Sequence, residues 1–143
     1  MDTSLIEGFT RHHRALDRAF EGTRCAVDNG DFAQARADFQ GFRDAIERHM
    51  RAEETWLFPA YEAQHGQDNP LTSILRKGHR DLRGFFDEIA EALSEGDGDE
   101  GTALIGTVGQ ILHHHDDKEE QEFYPAVAVL LPDARAALKA LEP

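Results

Sequence analysis

The chain has 143 residues with 15 basic and 28 acidic side chains, and its formal net charge is −13. This length fits a single domain over residues 1–143 with a sizeable core. The charge excludes nucleic acid as a partner, since phosphate binding needs clustered Lys and Arg, and it disfavours an anionic membrane surface. The N-terminus lacks signal-peptide features, no apolar run reaches about 20 residues, and a single cysteine suits a reducing compartment. We therefore predict a soluble, cytoplasmic protein.

Helical periodicity of apolar residues dominates the sequence, and few segments alternate with period two, so strands are not expected. Four long helices and a short terminal helix are predicted in chain order: residues 4–27, from Asp31 onward, from Asn69-Pro70 onward, about 101–130, and after Pro132. Asp31 and Asn69 are candidate N-caps. The connections are polar and glycine-rich: 28–31, 65–70 and 94–101.

Long helices joined by short connections favour antiparallel neighbours. The predicted fold class is therefore all-α, an antiparallel up-down-up-down four-helix bundle with a short C-terminal helix. Pro59 and Pro125 lie near the ends of the second and fourth helices. Because proline lacks a backbone N–H, we expect each helix to kink or loosen there.

The sequence repeats itself at an offset of 66 residues, which aligns Pro59 with Pro125. Histidines and glutamates coincide at this offset: His13 with His79, His49 with His115, Glu53 with Glu119, and Glu54 with Glu120. Apolar positions agree as well, among them Phe20 with Phe86 and Ile46 with Leu112. The repeat predicts two helical hairpins related by pseudo-twofold symmetry.

Six polar residues of this repeat fall on the apolar faces of the predicted helices, because residues four apart share a helix face. They are His13, His49, Glu53, His79, His115 and Glu119. A lone buried histidine is usually a hydrogen-bonded core residue, but six buried ionisable groups cost several kcal/mol each unless they are paired. Two metal ions bridged by the two carboxylates would satisfy them all. The alternative is a metal-free network in which the six groups satisfy one another.

The ligand types indicate which metals fit. Four imidazoles and two carboxylates without a thiolate suit iron, manganese or zinc, and they do not suit an iron–sulfur cluster or Cu(I). A structural zinc site would usually have four ligands for one ion. Here each ion would receive two histidines and a share of both glutamates. A solvent bridge would bring the count to five and leave one octahedral position open to a small molecule.

The paired motif, a histidine followed by His-x-x-x-Glu, resembles the hemerythrin-like, or HHE cation-binding, domain family over about residues 4–130. The resemblance implies a four-helix bundle around a non-haem di-iron centre, with two iron ions joined by an oxo or hydroxo bridge. It implies the following ligands: His13 and His49 for one iron, His79 and His115 for the other, and Glu53 and Glu119 as bridges. Family members bind O2, sense oxygen, iron or redox state, handle NO or peroxide, or help repair iron–sulfur clusters.

The chain departs from the oxygen-carrying members of that family, which have a fifth histidine one turn from the third-helix ligand. Leu75 and Arg83 occupy the corresponding positions here, and solvent or Glu122 could supply the missing donor. We therefore predict a di-iron protein that binds O2 or a related small molecule, NO or peroxide, for sensing, detoxification or carriage. The alternatives are a di-iron oxidoreductase, an iron–sulfur repair enzyme and a metal-dependent regulatory module.

Other locations and roles are predicted for the remaining polar and aromatic residues near the motif. His12, His113 and His114 lie off the ligand face and are predicted to be solvated or on the helix surface. Glu54 and Glu120 lie one step round the helix, as surface groups or supports for a ligand. The aromatic residues after each motif, Trp56, Phe58, Tyr61, Phe123 and Tyr124, are predicted to close the apolar end of the bundle. A proton or electron relay is the alternative for Tyr124.

Overall fold

The computed structural model describes residues 2–143, and over that range it is helical without a strand. Its elements are, in chain order, α1 (Ser4–Asp28), α2 (Phe32–Ala52), the π-helical turn π1 (Glu53–Leu57), α3 (Phe58–His65), α4 (Pro70–Ser94), α5 (Gly98–Lys118), the π-helical turn π2 (Glu119–Phe123), α6 (Tyr124–Ala128) and α7 (Arg135–Lys139). The segments α2–π1–α3 and α5–π2–α6 each follow without a break. The all-α prediction is confirmed.

The long helices pack around a shared interior. α1 packs against α2 and α5, and α4 packs against the same two helices. The short helix α7 lies against α1 and π1. A Cβ atom on Gly8 would come within 2.3 Å of Leu138 Cδ2, so the glycine permits this close approach of the C-terminal region to α1. The helices thus form a bundle.

Two hydrophobic clusters fill the interior. The first contains Leu16, Phe20, Phe39, Phe42, Ile46, Leu82, Phe86, Ile89, Ile105, Val108 and Leu112, among others. The second contains Leu5, Phe9, Leu57, Phe58, Leu75, Phe123, Tyr124 and Val127, among others. Along α1, His13 falls between Phe9 of the second cluster and Leu16 of the first, and His79 occupies the same position in α4. The buried polar residues therefore form a layer between two apolar regions.

Side-chain caps begin three of the long helices. Asp31 and Asn69 accept hydrogen bonds from the backbone N–H three residues further on, at 3.0 and 2.9 Å. Both predicted helix starts are therefore confirmed. The last long helix begins at Gly98, earlier than the predicted residue 101, because Asp97 caps it in the same way.

Each helix that carries the repeated motif widens into a π-helical turn that begins at the glutamate of the motif. The N–H of Phe58 donates to the carbonyl of Glu53, five residues earlier, and Tyr124 donates to Glu119 in the same way. A proline follows each turn; its ring would clash with a carbonyl of a regular α-helical turn, and the wider turn avoids this clash. The loosening predicted at the prolines is confirmed.

The π-helical turns change which residues face the core. Trp56 was predicted to close the apolar end of the bundle, but it is 41% exposed, while Leu57 and Phe58 are fully buried. A π-helical turn contains about one residue more than a turn of α-helix. The α-helical spacing of buried positions therefore fails after Glu53. The prediction for Trp56 is therefore wrong.

We expect Asn69→Ala to lower the free energy of unfolding by about 1 kcal/mol, because it removes an N-cap. The Asn69 side chain also donates to the Gly66 carbonyl and to Thr72 Oγ1, each at 2.7 Å. Urea denaturation followed by circular dichroism would measure the change. Asp68→Ala, at an exposed neighbouring position, is the matched control. Equal stability of the two variants would contradict the capping role.

Candidate metal centre

The structure brings all six predicted ligand residues together in the polar layer. Histidines come from α1, α2, α4 and α5, and the glutamates stand at the first position of each π-helical turn. The side chains of Glu53, His79 and Glu119 are 0% exposed. His13 and His49 are also buried, and His115 is nearly so. The regular helical spacing before each π-helical turn aims these side chains inward.

The six residues form two sets of potential metal donors that share both glutamates. The first donor group is His13, His49, Glu53 and Glu119, and the second donor group is Glu53, His79, His115 and Glu119. Within each group the ligand atoms lie within 4.8 Å of one another. Each group therefore offers two imidazole nitrogens and two carboxylate oxygens to one cation.

Each carboxylate turns one oxygen toward each donor group. Glu53 Oε2 lies 3.4 Å from His49 Nε2, whereas its Oε1 lies 3.0 Å from His79 Nε2. Glu119 does the same: its Oε1 lies 3.1 Å from His13 Nε2 and its Oε2 lies 3.4 Å from His115 Nε2. This is the arrangement that two bridging carboxylates need.

The donor distances fit a pair of cations. Two ligands at right angles on an ion about 2.1 Å away lie about 3.0 Å apart, close to the 3.0–3.4 Å separations of the histidine and glutamate atoms. Among the described residues 2–143, Glu119 Oε2 is buried and has no hydrogen-bond partner. An unsatisfied buried carboxylate oxygen is costly, and a cation in the second donor group would satisfy it. The residues present therefore fit a dinuclear metal site.

Glu54 and Glu120 orient two of the histidines. His13 Nδ1 donates to Glu120 Oε2 at 2.7 Å, and His79 Nδ1 donates to Glu54 Oε2 at 2.7 Å. A carboxylate on Nδ1 fixes the ring and leaves Nε2 directed at the donor group, as in most histidine metal sites. Of the two roles predicted for these glutamates, the structure favours the support of a ligand.

Arginines hold these two glutamates from outside. Arg83 Nη1 and Nη2 donate to the two oxygens of Glu54 at 2.9 and 3.1 Å. On the other side, Arg14 Nη2 donates to Glu120 Oε1 at 2.6 Å. Burial opposes ionisation of Glu54, but its bonds with His79 and Arg83 outweigh burial and lower its pKa to about 2. Arg83, at the position where a fifth histidine was sought, therefore anchors a supporting carboxylate.

The buried carboxylates favour positive charge within the layer. Burial opposes protonation of His13, but its bond to Glu119 and the charges of Asp116 and Glu53 raise its pKa to about 10. Burial likewise opposes protonation of His79, whose bonds to Glu53 and Glu54 raise its pKa to about 9. A site with this electrostatic preference is suited to cations.

Two further oxygen groups lie at the first donor group. The Tyr124 hydroxyl donates to Glu53 Oε2 at 2.7 Å, so the tyrosine is part of the site as well as of the apolar end. Burial, with the charges of Glu119 and Glu53, raises its pKa well above the usual value. Asp116 Oδ1 lies 3.3 Å from His13 Nε2 and was not predicted. In the repeat the counterparts of Tyr124 and Asp116 are Phe58 and Met50. These two mismatches in the repeat were the sequence signal that could have pointed to both residues.

The structure excludes one of the two candidate donors, Glu122, and it contradicts the prediction for His12. Glu122 is turned away from the site and pairs with Lys118 at 2.9 Å on the surface. His12 was predicted to be solvated or on the surface, but it is only partly exposed, and its Nδ1 lies 2.8 Å from His49 Nδ1. Burial, followed by the charge of His49, lowers the pKa of His12 to about 4. The predictions that His113 and His114 are exposed are confirmed.

Gly78 allows a close approach of α4 to His115. A Cβ atom at this position would lie 2.6 Å from His115 Nδ1, closer than real contacts permit. The repeat counterpart of Gly78 is His12, which instead contacts the Nδ1 atom of His49. The Nδ1 atoms of His49 and His115, which are equivalent in the repeat, therefore have different surroundings.

One comparison with known proteins, the match to a family model, agrees with this geometry. No described helix is long and apolar enough to cross a membrane. No curated protein and no solved structure matches the chain at a significant level. The family model described as the hemerythrin HHE cation binding domain matches residues 4–127, which is most of the chain. The chain belongs to the hemerythrin HHE cation-binding domain family.

Proposed function

We propose that this protein holds two iron ions in its two donor groups and binds O2, NO or peroxide there. The observation that carries the proposal is the pair of donor groups that share Glu53 and Glu119, one oxygen from each glutamate facing each group. Manganese and zinc also suit such ligands, and membership of the family favours a cation without naming the metal. When bound, iron would supply the redox chemistry and the open coordination positions.

In this proposal the ligands are the six predicted residues. His13 and His49 would hold one ion, His79 and His115 the other, and Glu53 and Glu119 would bridge the two. Glu54 and Glu120 would keep their histidines in the Nδ1-protonated form. The apolar clusters on both sides would limit the entry of water and keep the local dielectric low. We place the protein in the cytoplasm, with a small molecule as its partner and neither nucleic acid nor a membrane.

We also propose that the long helices form the antiparallel up-down-up-down bundle with pseudo-twofold symmetry. Support comes from contacts that run in opposite directions along neighbouring helices: in α1 and α2, Phe9 contacts His49 and Phe20 contacts Phe42. The matched hydrogen bonds of His13 to Glu120 and of His79 to Glu54 support the pseudo-twofold relation.

We expect the purified protein to contain about two metal ions per chain, and Glu53→Ala or Glu119→Ala to lose most of both, because each glutamate serves both donor groups. Inductively coupled plasma mass spectrometry would measure the metal content, with circular dichroism to verify the fold. His114→Ala is the control, because His114 is exposed. The same metal content in all three variants would contradict the ligand assignment.

We expect the visible absorption spectrum of the reduced, iron-loaded protein to change on addition of O2, NO or hydrogen peroxide. The protein loaded with zinc should give no such change, because zinc is redox-inactive. A spectrum that is restored when the gas is removed would indicate reversible binding, whereas consumption of the added molecule would indicate turnover. An iron-loaded protein whose spectrum responds to none of the three would contradict the proposed function.

We expect Gly78→Ala to displace His115 and to weaken metal binding in the second donor group, leaving about one tightly bound ion per chain. Gly84→Ala is the matched control, since it lies in the same helix and a Cβ there would meet no described atom within 4 Å. Both changes raise helix propensity by about 0.8–1 kcal/mol, so the difference between them isolates the contact with His115. Isothermal titration calorimetry would count the sites, and two tight sites in Gly78→Ala would contradict the prediction.

A further inference from the structure

We propose that Tyr124 is a fifth protein ligand of the metal ion in the first donor group, and that the second donor group keeps the open position for the small molecule. This inference rests on the proposed function, because it requires metal ions in both groups. It assigns different tasks to two halves that the sequence repeat makes similar.

The first observation is the position of the Tyr124 oxygen. It lies 2.7 Å from Glu53 Oε2 and 3.2 Å from Glu119 Oε1. It also lies 3.1 Å from the Nε2 atom of His13 and 3.1 Å from that of His49. These four atoms belong to the four residues of the first donor group, and the side chain of Tyr124 is fully buried.

These distances match an octahedral ligand better than a hydrogen-bonding hydroxyl. A phenol has one proton, so it donates one hydrogen bond at a time. It cannot satisfy both carboxylate oxygens by donation and also hydrogen-bond well with two imidazole nitrogens. In an octahedron, one ligand has four neighbours, each about 3.0 Å away when the bonds are about 2.1 Å. The four measured separations of 2.7–3.2 Å fit that pattern.

The backbone and the neighbouring rings hold the tyrosine in this position. Tyr124 follows Glu119 by five residues, and the π-helical turn π2 connects them through the hydrogen bond from Tyr124 N–H to the Glu119 carbonyl. The Tyr124 ring packs against Phe9 and His13, with centroid distances of 5.5 and 5.6 Å. The ring is therefore fixed before any metal binds, and little entropy remains to be lost.

Among residues 2–143, no oxygen equivalent to that of Tyr124 lies at the second donor group. Phe58 is the counterpart of Tyr124 in the repeat, follows Glu53 through π1, and packs against His79 at a centroid distance of 5.2 Å. Because a phenyl ring offers no donor atom, an ion held by His79 and His115 would have one protein ligand fewer. That ion would be the one open to a small molecule.

The coordination step is balanced without an oxidant or a reductant. On binding of the ion, the O–H bond of Tyr124 would break and the proton would leave to solvent. An electron pair on the phenolate oxygen would form the bond to the metal, with no electron transferred.

The test uses the iron-loaded, air-oxidised protein and the resonance Raman spectrum excited in its visible band. The expected result is the set of ring vibrations that a phenolate bound to ferric iron gives, together with about two irons per chain. The chain has two tyrosines, and Tyr61 packs against Phe123 and His65. Tyr61→Phe is therefore the matched control, and it should retain the phenolate signal. Because only Tyr124 remains in that variant, the retained signal would come from Tyr124, and the metal site itself would be unaltered.

Tyr124→Phe should abolish the phenolate signal and weaken one of the two metal sites by at least the roughly 10-fold that supporting residues of metal ligands are worth. Tyr124→Phe combined with Phe58→Tyr should restore a phenolate signal from the second donor group. Two irons without a phenolate signal in the unmodified protein would overturn the role of Tyr124 and leave the proposed function standing. Absence of metal in the unmodified protein under all loading conditions would overturn both.

Discussion

The burial of two carboxylates in the middle of a helical bundle is the constraint on which the rest of the structure depends. Glu53 and Glu119 are 0% exposed, and an ionised carboxylate without partners in such an environment is strongly unfavourable. Although burial raises the pKa of Glu53, the surrounding histidines outweigh that effect and hold it well below the usual value. Glu53 is therefore charged, and the interior must supply positive charge beside it.

The layered arrangement of the protein follows from this requirement. Imidazoles surround the carboxylates, further carboxylates fix two of the imidazoles, and arginines at the surface hold those carboxylates in turn. Charge therefore alternates from the centre outward, ending in arginines that reach water. Such a network is strong only when every member is satisfied. Among the described residues, Glu119 Oε2 is an exception, because it is buried without a hydrogen-bond partner. A cation bound between the groups would complete the series.

The sequence predicted the six central residues because their spacing has a simple physical meaning. A histidine and a glutamate four residues apart share a helix face, and the repeat places the same pair on a second helix. The helix starts at Asp31 and Asn69 were predictable for a similar reason, since capping is a local interaction. The bundle class followed from helical periodicity and short connections, because neither depends on distant contacts.

Two of the residues that the sequence did not place correctly, Trp56 and Glu122, lie within the π-helical turns, where helical spacing changes. The sequence predicted that Trp56 closes the apolar end and offered Glu122, beside solvent, as a possible donor, because an α-helix was expected to continue through both motifs. The π-helical turns rotate these side chains outward. The spacing of apolar residues does not reveal that the helix widens to avoid the clash with the proline ring. His12 and Asp116 were missed for another reason: their positions depend on contacts between helices, which no spacing rule within one helix specifies.

The differences between the two halves are as informative as their similarity. The repeat preserves every histidine and glutamate of the two donor groups, yet it replaces His12 by Gly78, Met50 by Asp116 and Phe58 by Tyr124. All three differences touch a histidine or glutamate of the donor groups, and two of them add oxygen atoms to the first donor group alone. Two ions held by the same core ligands would therefore differ in charge and in the number of protein donors. Such a difference favours a small molecule at the ion with fewer protein ligands, because a ligand binds where a position is open and not where a side chain already occupies it.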